Sequence, residues 1–560
     1  MDFPQHLRDI RPMELSDDDE AARRALSAQL RQSPPSRYGR HPPPHSPELL
    51  QAYIAGGGLP PGRYYIYGTG HLTRDALPAL EVGPFEILGF LDRAALDIVE
   101  RFGRPVILPE EAAGRVFDYI LVLHLLDEEA MQARLLQAGI APEQIIILQG
   151  DPRYQTFVAD CLFERFRRSY PGQTPYLIIS TLAAHWSIVP HRTLARLFPP
   201  ALSAHLFMGS FGQIETYNND TYQVFGCMQS VELLLRCINF AQPHVIYLKT
   251  SPHAYSEYLF IIIKDAFPNV KIINEINDWS SLFSDFFLKG SLLYRESDLI
   301  ASRYSNYDAL SHADLVVCKS GSQIWENFKS SFPVPCLTYF PLLGEDDPLP
   351  PPAAARSADE PIRVLFAGTI GVDETLDDAS RSQGSNFLRY LHLLGSVPEI
   401  ELDIFNSGHM SASGDHLFAS VVAWLTDPER TKGRVSYHRL RPFAELMRMA
   451  ARWDFGLAAS HYAEDRVENV TRVGIGNKLM GYVAAGVPAI IDNRYGFASA
   501  LISQFDAGVV IDPERMAELP DLLRTADRVR LRAGMGRLRA HLTDSNIEVR
   551  NALAALVAGA

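Results

Sequence analysis

Short apolar runs bounded by turn residues recur from one end of this 560-residue chain to the other, at 64–67, 87–91, 119–123, 176–179, 245–248, 271–274, 315–317, 364–367, 402–405, 455–458, 489–491 and 509–511. The runs are too short for helices and rich in β-branched and aromatic residues, and stretches of helical period lie between most of them. That alternation predicts parallel sheets with crossover helices on both faces, the doubly wound α/β class. In such sheets a ligand sits beyond the carboxyl ends of the strands. The residues that follow each run are therefore the places to look for chemistry.

A single hydrophobic core rarely serves more than about 300 residues, so a chain of this length with 47% hydrophobic residues is expected to hold several domains. Two Pro-rich stretches, 32–47 and 344–361, carry little apolar surface to bury and read as linkers. The expected division is a flexible tail over 1–47, a small Rossmann-like module over 48–150, a Rossmann-like domain over 174–343, a linker over 344–360 and a last domain over 361–560. A formal charge of −14 provides no basic field for a polyphosphate chain, so nucleic acid is not an expected partner. Five cysteines, an odd number with no C-x-x-C pair, argue against a disulfide framework and against a zinc site, and no metal is expected. Asp17, Asp18, Asp19 and Glu20 stand where a signal peptide would be basic and then apolar, and no uninterrupted apolar run reaches membrane-spanning length. The expectation is a cytoplasmic protein without a transmembrane segment. Peripheral docking on a membrane stays open, and the oligomeric state is not set by anything in the sequence.

In the first module the run at 64–67 passes into Gly68-Thr69-Gly70-His71-Leu72-Thr73, and the next ends at Asp92. Glycines at a strand-to-helix turn let backbone approach a phosphate, and the helix start offers unpaired N–H groups and the positive end of a dipole. An acid 22 residues after Gly70 is spaced to take hydrogen bonds from ribose hydroxyls. Gly68, Gly70 and Asp92 are the candidate nucleotide-binding residues, although Thr73 stands where the full fingerprint has its third glycine. The module resembles the small Rossmann-like domains found beside sugar-modifying acyltransferases and methyltransferases. A structural module that keeps its turn glycines for positive φ alone is the competing reading.

The last domain carries the denser pattern. The run at 364–367 ends in Gly368-Thr369-Ile370-Gly371, and about a hundred residues later comes Arg472-Val473-Gly474-Ile475-Gly476-Asn477-Lys478-Leu479-Met480-Gly481-Tyr482-Val483-Ala484-Ala485-Gly486-Val487-Pro488. Gly474 and Gly476 would let backbone pass close under a diphosphate, a helix beginning near Asn477 would aim its N-terminus there, and Lys478 adds a charge. Gly486-Val487-Pro488 is then expected to end that helix and turn into a strand. This order resembles the donor-binding half of GT-B glycosyltransferases, which are built from two doubly wound Rossmann-like domains. The resemblance implies a donor site at Gly368, Thr369, Arg472, Gly474, Gly476, Asn477 and Lys478, with a UDP- or GDP-linked sugar as donor, no further cofactor, and no required metal. It departs from the large retaining families at Val473 and Gly481, which stand where those families carry two glutamates. Glu468, Arg472, Lys478 and Arg494 are the nearest groups that could serve instead.

The middle domain has the position of the acceptor half. Its runs lead into Lys249-Thr250-Ser251-Pro252-His253 and into Glu275-Ile276-Asn277-Asp278-Trp279. In the family, a His or Asp at such a strand end faces the donor sugar. His253 and Asp278 are thus the candidate catalytic residues, each equally able to cap a helix or satisfy a loop. The leading expectation is sugar transfer to a glycan, lipid-linked or protein acceptor in polysaccharide or glycoconjugate synthesis. The competing ones are a non-catalytic GT-B relative that binds a glycan or partner, and methyl or acyl transfer by the first module. Nothing in the sequence separates an inverting from a retaining outcome.

Overall fold

The structure, a computed structural model, describes residues 18–32, 47–93, 95, 98–123, 128–148, 151–170, 174–181, 188–209, 221–227, 230–252, 256–283, 288–289, 295–342, 360–370, 387–409, 415–431, 434–439, 441, 445–446, 449–459 and 472–559. The strands are β1 (Gly62–Tyr67), β2 (Phe85–Leu91), β3 (Glu100–Arg101), β4 (Arg104–Ile107), β5 (Tyr119–Val122), β6 (Ile145–Ile147), β7 (Tyr176–Ser180), β8 (Ser203–Phe207), β9 (Val224–Gly226), β10 (Val245–Thr250), β11 (Lys271–Ile276), β12 (Leu315–Cys318), β13 (Cys336–Thr338), β14 (Ile362–Gly368), β15 (Ile400–Asn406), β16 (Val435–Arg439), β17 (Phe455–Leu457), β18 (Ala489–Asp492) and β19 (Gly508–Ile511). They form three sheets of order β3-β4-β2-β1-β5-β6, β13-β12-β11-β10-β7-β8-β9 and β16-β15-β14-β17-β18-β19. Apart from the small β3, which runs antiparallel to β4, the strand pairs resolved in register are parallel. In each sheet the chain starts at a central strand, builds to one side, then returns and builds to the other, which is the doubly wound order. The fold class is α/β.

Burial explains why the central strands are nearly continuous apolar runs. Every residue of β8, β10 and β12 is buried, because helices cover both faces. In the third sheet, successive residues feed opposite cores. Val364 and Phe366 of β14 join Ile404 and Leu391 on one face, while Leu365 joins Phe405, Leu479 and Val483 on the other.

The chain divides into two compact units, one of Met1–Ala28, Ala184–Pro199 and Tyr247–Ala560, the other of Gln29–Ala183 and Pro200–Ile246. The second unit contains the first sheet, with a core of Tyr65, Tyr67, Leu91, Ile120, Val122 and Leu135. It also contains the helices Pro152–Ser169 and Val231–Ala241, joined by the Arg236–Asp160 ion pair at 2.9 Å and the Phe163–Phe240 edge contact. The first unit contains the third sheet and the 31-residue helix Arg528–Ala558. Met535, Leu538 and Leu542 of that helix lie in the third-sheet core. Further along, Asn546 clamps the backbone of Phe340, accepting from its N–H at 2.7 Å and donating to its carbonyl at 2.8 Å. At the helix end, the Gly559 carbonyl accepts from Lys271 of β11 at 2.6 Å. Among the described residues no helix is long and apolar enough to cross a membrane.

Candidate functional site

The third sheet reverses its strand order between β14 and β17, and the carboxyl ends of these two strands define its switch point. Tyr482 fixes the spacing from below. Its ring is buried beneath Gly456, and its hydroxyl accepts from the Ala367 N–H of β14 and donates to the Leu457 carbonyl of β17, each at 3.1 Å. Burial pushes the phenol far above its ordinary value, so it stays a neutral strut. The tyrosine of the sequence pattern is thus a device for holding the switch point in shape.

Above it lies the glycine loop. The helix Asn477–Ala485 starts where the sequence predicts, with Gly476 as its N-cap and no side-chain cap bond. Its far end closes on Gly486 in the left-handed region at φ 68°, and the Gly486 and Val487 N–H groups return to the last turn. Gly476 has an ordinary extended backbone, and a Cβ there would meet nothing within 4 Å. Among the described residues neither strain nor packing requires a glycine at this position, and none comes within 4 Å of where its side chain would begin.

Lys478, in the first turn, sends its stem across the end of β14. A Cβ on Gly368 would fall 2.0 Å from Lys478 Cε, so the glycine makes room for the lysine. The ammonium lies 4.2 Å from the centre of the Phe387 ring. Gly368, Gly476 and Lys478 therefore converge at the switch point. Thr369 is exposed and bonds Ser407 through the hydroxyls at 2.8 Å. Arg472 and Asn477 are exposed on either side of the loop. Arg494 is held bidentately by the buried Asp492 at the end of β18. The fully buried Asn406 shapes the β14 loop, accepting from the Ile370 and Gly408 N–H groups at 2.9 Å each and donating to the Ile370 carbonyl and Tyr437 hydroxyl. Gly371 and Glu468 lie outside the described residues.

Within the same compact unit, the loop after β12 meets this glycine loop. Ser320 pairs with Gly474 in an isolated antiparallel bridge, and the Gly321 N–H donates to the Val473 carbonyl at 2.7 Å. Val473 is buried. Just before that contact, Lys319 Nζ pairs with Asp278 Oδ1 at 3.2 Å, both side chains largely buried. The backbone contact and the ion pair bring Asp278 and Gly474 into one neighbourhood. His253 lies outside the described residues.

Three further ionisable groups, Lys249 of β10, Glu275 of β11 and Glu257 beyond β10, are buried in this region. Burial pushes the Lys249 ammonium down to about 8 against the pull of Glu275. Glu275 itself accepts from the Ile188 and Val189 N–H groups and from the Tyr247 hydroxyl. Burial pushes the Glu257 carboxyl up to about 7, although Asn306 and Ser280 donate to its Oε1 and nearby Asp278 adds to the rise. Among the described residues no group of three or more His, Cys, Asp or Glu side chains is placed to hold a metal ion.

In the first sheet, Gly68 sits at φ +112° with its would-be Cβ 2.8 Å from the Leu123 carbonyl, so both backbone and packing require glycine. Gly70 caps the helix His71–Val82 without a side-chain bond, and a Cβ there would meet nothing within 4 Å. Thr69 donates to Asp92 Oδ2 at 2.6 Å, joining the loop to the end of β2. Thr73, in place of the third glycine, donates to the Gly68 carbonyl at 2.7 Å.

No protein-family model and no curated protein sequence matches the chain. Similar solved structures include HepE from Anabaena in complex with UDP-glucose, at 12% identity over 69% of this chain and 99% of that one, TM-score 0.45. Sucrose-phosphate synthase from Thermosynechococcus elongatus is 12% identical over 68% of this chain and 96% of its own, TM-score 0.46. UDP-glucose: anthocyanidin 3-O-glucosyltransferase in complex with UDP is 12% identical over 69% and 100%, TM-score 0.43.

Several groups at this site were not singled out from sequence. Lys319 carried a usable signal, since it stands two residues beyond the 315–317 run. Asn406 carried the same signal, one residue beyond the 402–405 run, whereas Phe387 carried none, because its role depends on which loops the sheet order places together.

Proposed function

We propose that this chain is a glycosyltransferase that takes a nucleotide diphosphate-linked sugar at the β14/β17 switch point and passes the sugar to a hydroxyl of a glycan, lipid-linked or protein acceptor. The observation that carries the reading is the start of the helix Asn477–Ala485, with Lys478 laid across Gly368 and the loop after β12 bonded to Val473 and Gly474. The diphosphate of the donor would take the N–H groups of the first helical turn and the Lys478 charge. Those contacts stabilise the leaving diphosphate as the bond to the sugar breaks. Asp278 is the candidate to accept the proton of the acceptor hydroxyl, with His253 as the other.

The first module, 48–150, is the candidate site for a second nucleotide, at Gly68, Gly70 and Asp92. We place the protein in the cytoplasm, where nucleotide sugars are made, in the assembly of surface polysaccharide or glycoconjugate, and its free cysteines suit a reducing compartment. The second reading, a non-catalytic binder, is favoured by Val473 and Gly481, both buried and neither a carboxylate. Titration calorimetry with UDP, GDP and their nucleosides separates the two. The transferase reading expects one diphosphate to bind far more tightly than its nucleoside and UDP- or GDP-sugars to be turned over slowly to free diphosphate. Absence of binding by either diphosphate contradicts it.

A further inference from the structure

From the placement of Lys319 we infer that it is a second diphosphate-binding cation, held on Asp278 until a donor arrives. The inference rests on the donor-site reading above. Lys319 is the first residue beyond β12, and the two residues after it are bonded by their backbone to Gly474 and Val473. Its stem is thus anchored beside the loop that would hold the diphosphate. In the free protein its ammonium spends its charge on Asp278 at 3.2 Å, in a pair only 10% and 15% exposed.

A nucleoside diphosphate brings more negative charge than Lys478 alone neutralises, and a lysine on a flexible stem can exchange one anion for another. In the transfer step, the acceptor oxygen bonds to the anomeric carbon and the anomeric bond to the diphosphate breaks. The electron pair leaves with the diphosphate, beside Lys319 and Lys478, and the hydroxyl proton passes to Asp278.

A double-mutant cycle on the full chain tests this, with calorimetric titration of UDP, GDP, uridine and guanosine against wild type, Lys319→Met, Asp278→Asn and the double variant. Lys478→Met serves as a reference. The expected pattern begins with Asp278→Asn, which releases the lysine and binds the diphosphate about three- to ten-fold tighter than wild type. Lys319→Met binds it about five- to thirty-fold more weakly, and the double variant matches Lys319→Met. Nucleoside affinity stays constant throughout. A lysine with a purely structural role gives no gain in Asp278→Asn. Should Lys319→Met fail to fold because it leaves a buried carboxylate alone, the double variant carries no such charge, and its comparison with Asp278→Asn decides. Unchanged diphosphate affinity across the cycle, with Lys478→Met weakened, overturns this inference and leaves the donor site standing. No diphosphate binding by wild type overturns both.

Discussion

Replacing Lys478 by methionine removes one charge and leaves the stem that packs over Gly368. In the free protein the ammonium faces the Phe387 ring at 4.2 Å, a contact of about 0.5–1 kcal/mol when partly solvated. A charge-assisted hydrogen bond to a phosphate oxygen contributes about 1.5–3 kcal/mol. To make the second contact the lysine gives up the first, so the net contribution is about 1–2 kcal/mol, roughly five- to thirty-fold in affinity. Calorimetry should show Lys478→Met losing diphosphate affinity by that factor while its nucleoside affinity is unchanged. Because the ring contact is lost in the free variant as well, its melting temperature should fall by no more than a few degrees. Equal loss for diphosphate and nucleoside would refute the phosphate assignment, and no loss for either would remove the loop from the donor site altogether.

Three other perturbations have signs fixed by the structure. Glu257→Gln keeps the acceptor for Ser280 and Asn306 but removes an acid that burial raises to about 7. The folded chain retains that proton where an unfolded one, near the ordinary 4.5, has released it, so the stability it confers is complete below about pH 4.5 and is lost as pH rises through about 7. The variant should match wild type near pH 4 and exceed it at pH 8 by up to about 3 kcal/mol, read from denaturant midpoints; a wild-type advantage at pH 8 contradicts the assigned environment. Asn406→Ala leaves the Ile370 and Gly408 N–H groups without their acceptor and should cost about 2–4 kcal/mol in chemical unfolding, whereas a cost near zero means the loop is held otherwise. Gly368→Ala places a methyl 2.0 Å from Lys478 Cε and 2.9 Å from the buried Phe366 ring, so diphosphate binding should weaken and the melting temperature should fall as well, and an unaffected affinity means the lysine does not act from that path.

The fold class was legible because the central strands are buried on both faces and therefore apolar without interruption. Runs such as 245–248 and 315–317 coincide with the wholly buried β10 and β12. Strands that escaped notice break that rule for identifiable reasons. The edge strand β16 reads Val-Ser-Tyr-His-Arg and keeps half-exposed side chains, and β4 carries Arg104 and Pro105. Internal β8 is broken by Ser203 and His205, and His205 is accommodated in the core by its 2.5 Å contact with the Ser180 hydroxyl and its edge contact with the Tyr222 ring. At the site, the helix start at Asn477 and its glycine stop were readable because capping is local chemistry. The Lys319–Asp278 pair and the Lys478–Gly368 crossing were not, since they join residues 41 and 110 positions apart that only the sheet order makes neighbours.

The central claim, that a nucleotide diphosphate sits on the start of the helix Asn477–Ala485, is met most directly by amide hydrogen exchange of the full chain with and without saturating UDP or GDP. The account predicts that whichever diphosphate binds slows exchange in the peptide spanning 474–482 and in the one spanning 319–322, the loop bonded to it. Protection confined to the 68–74 turn of the first sheet, or none in either loop at saturation, contradicts it.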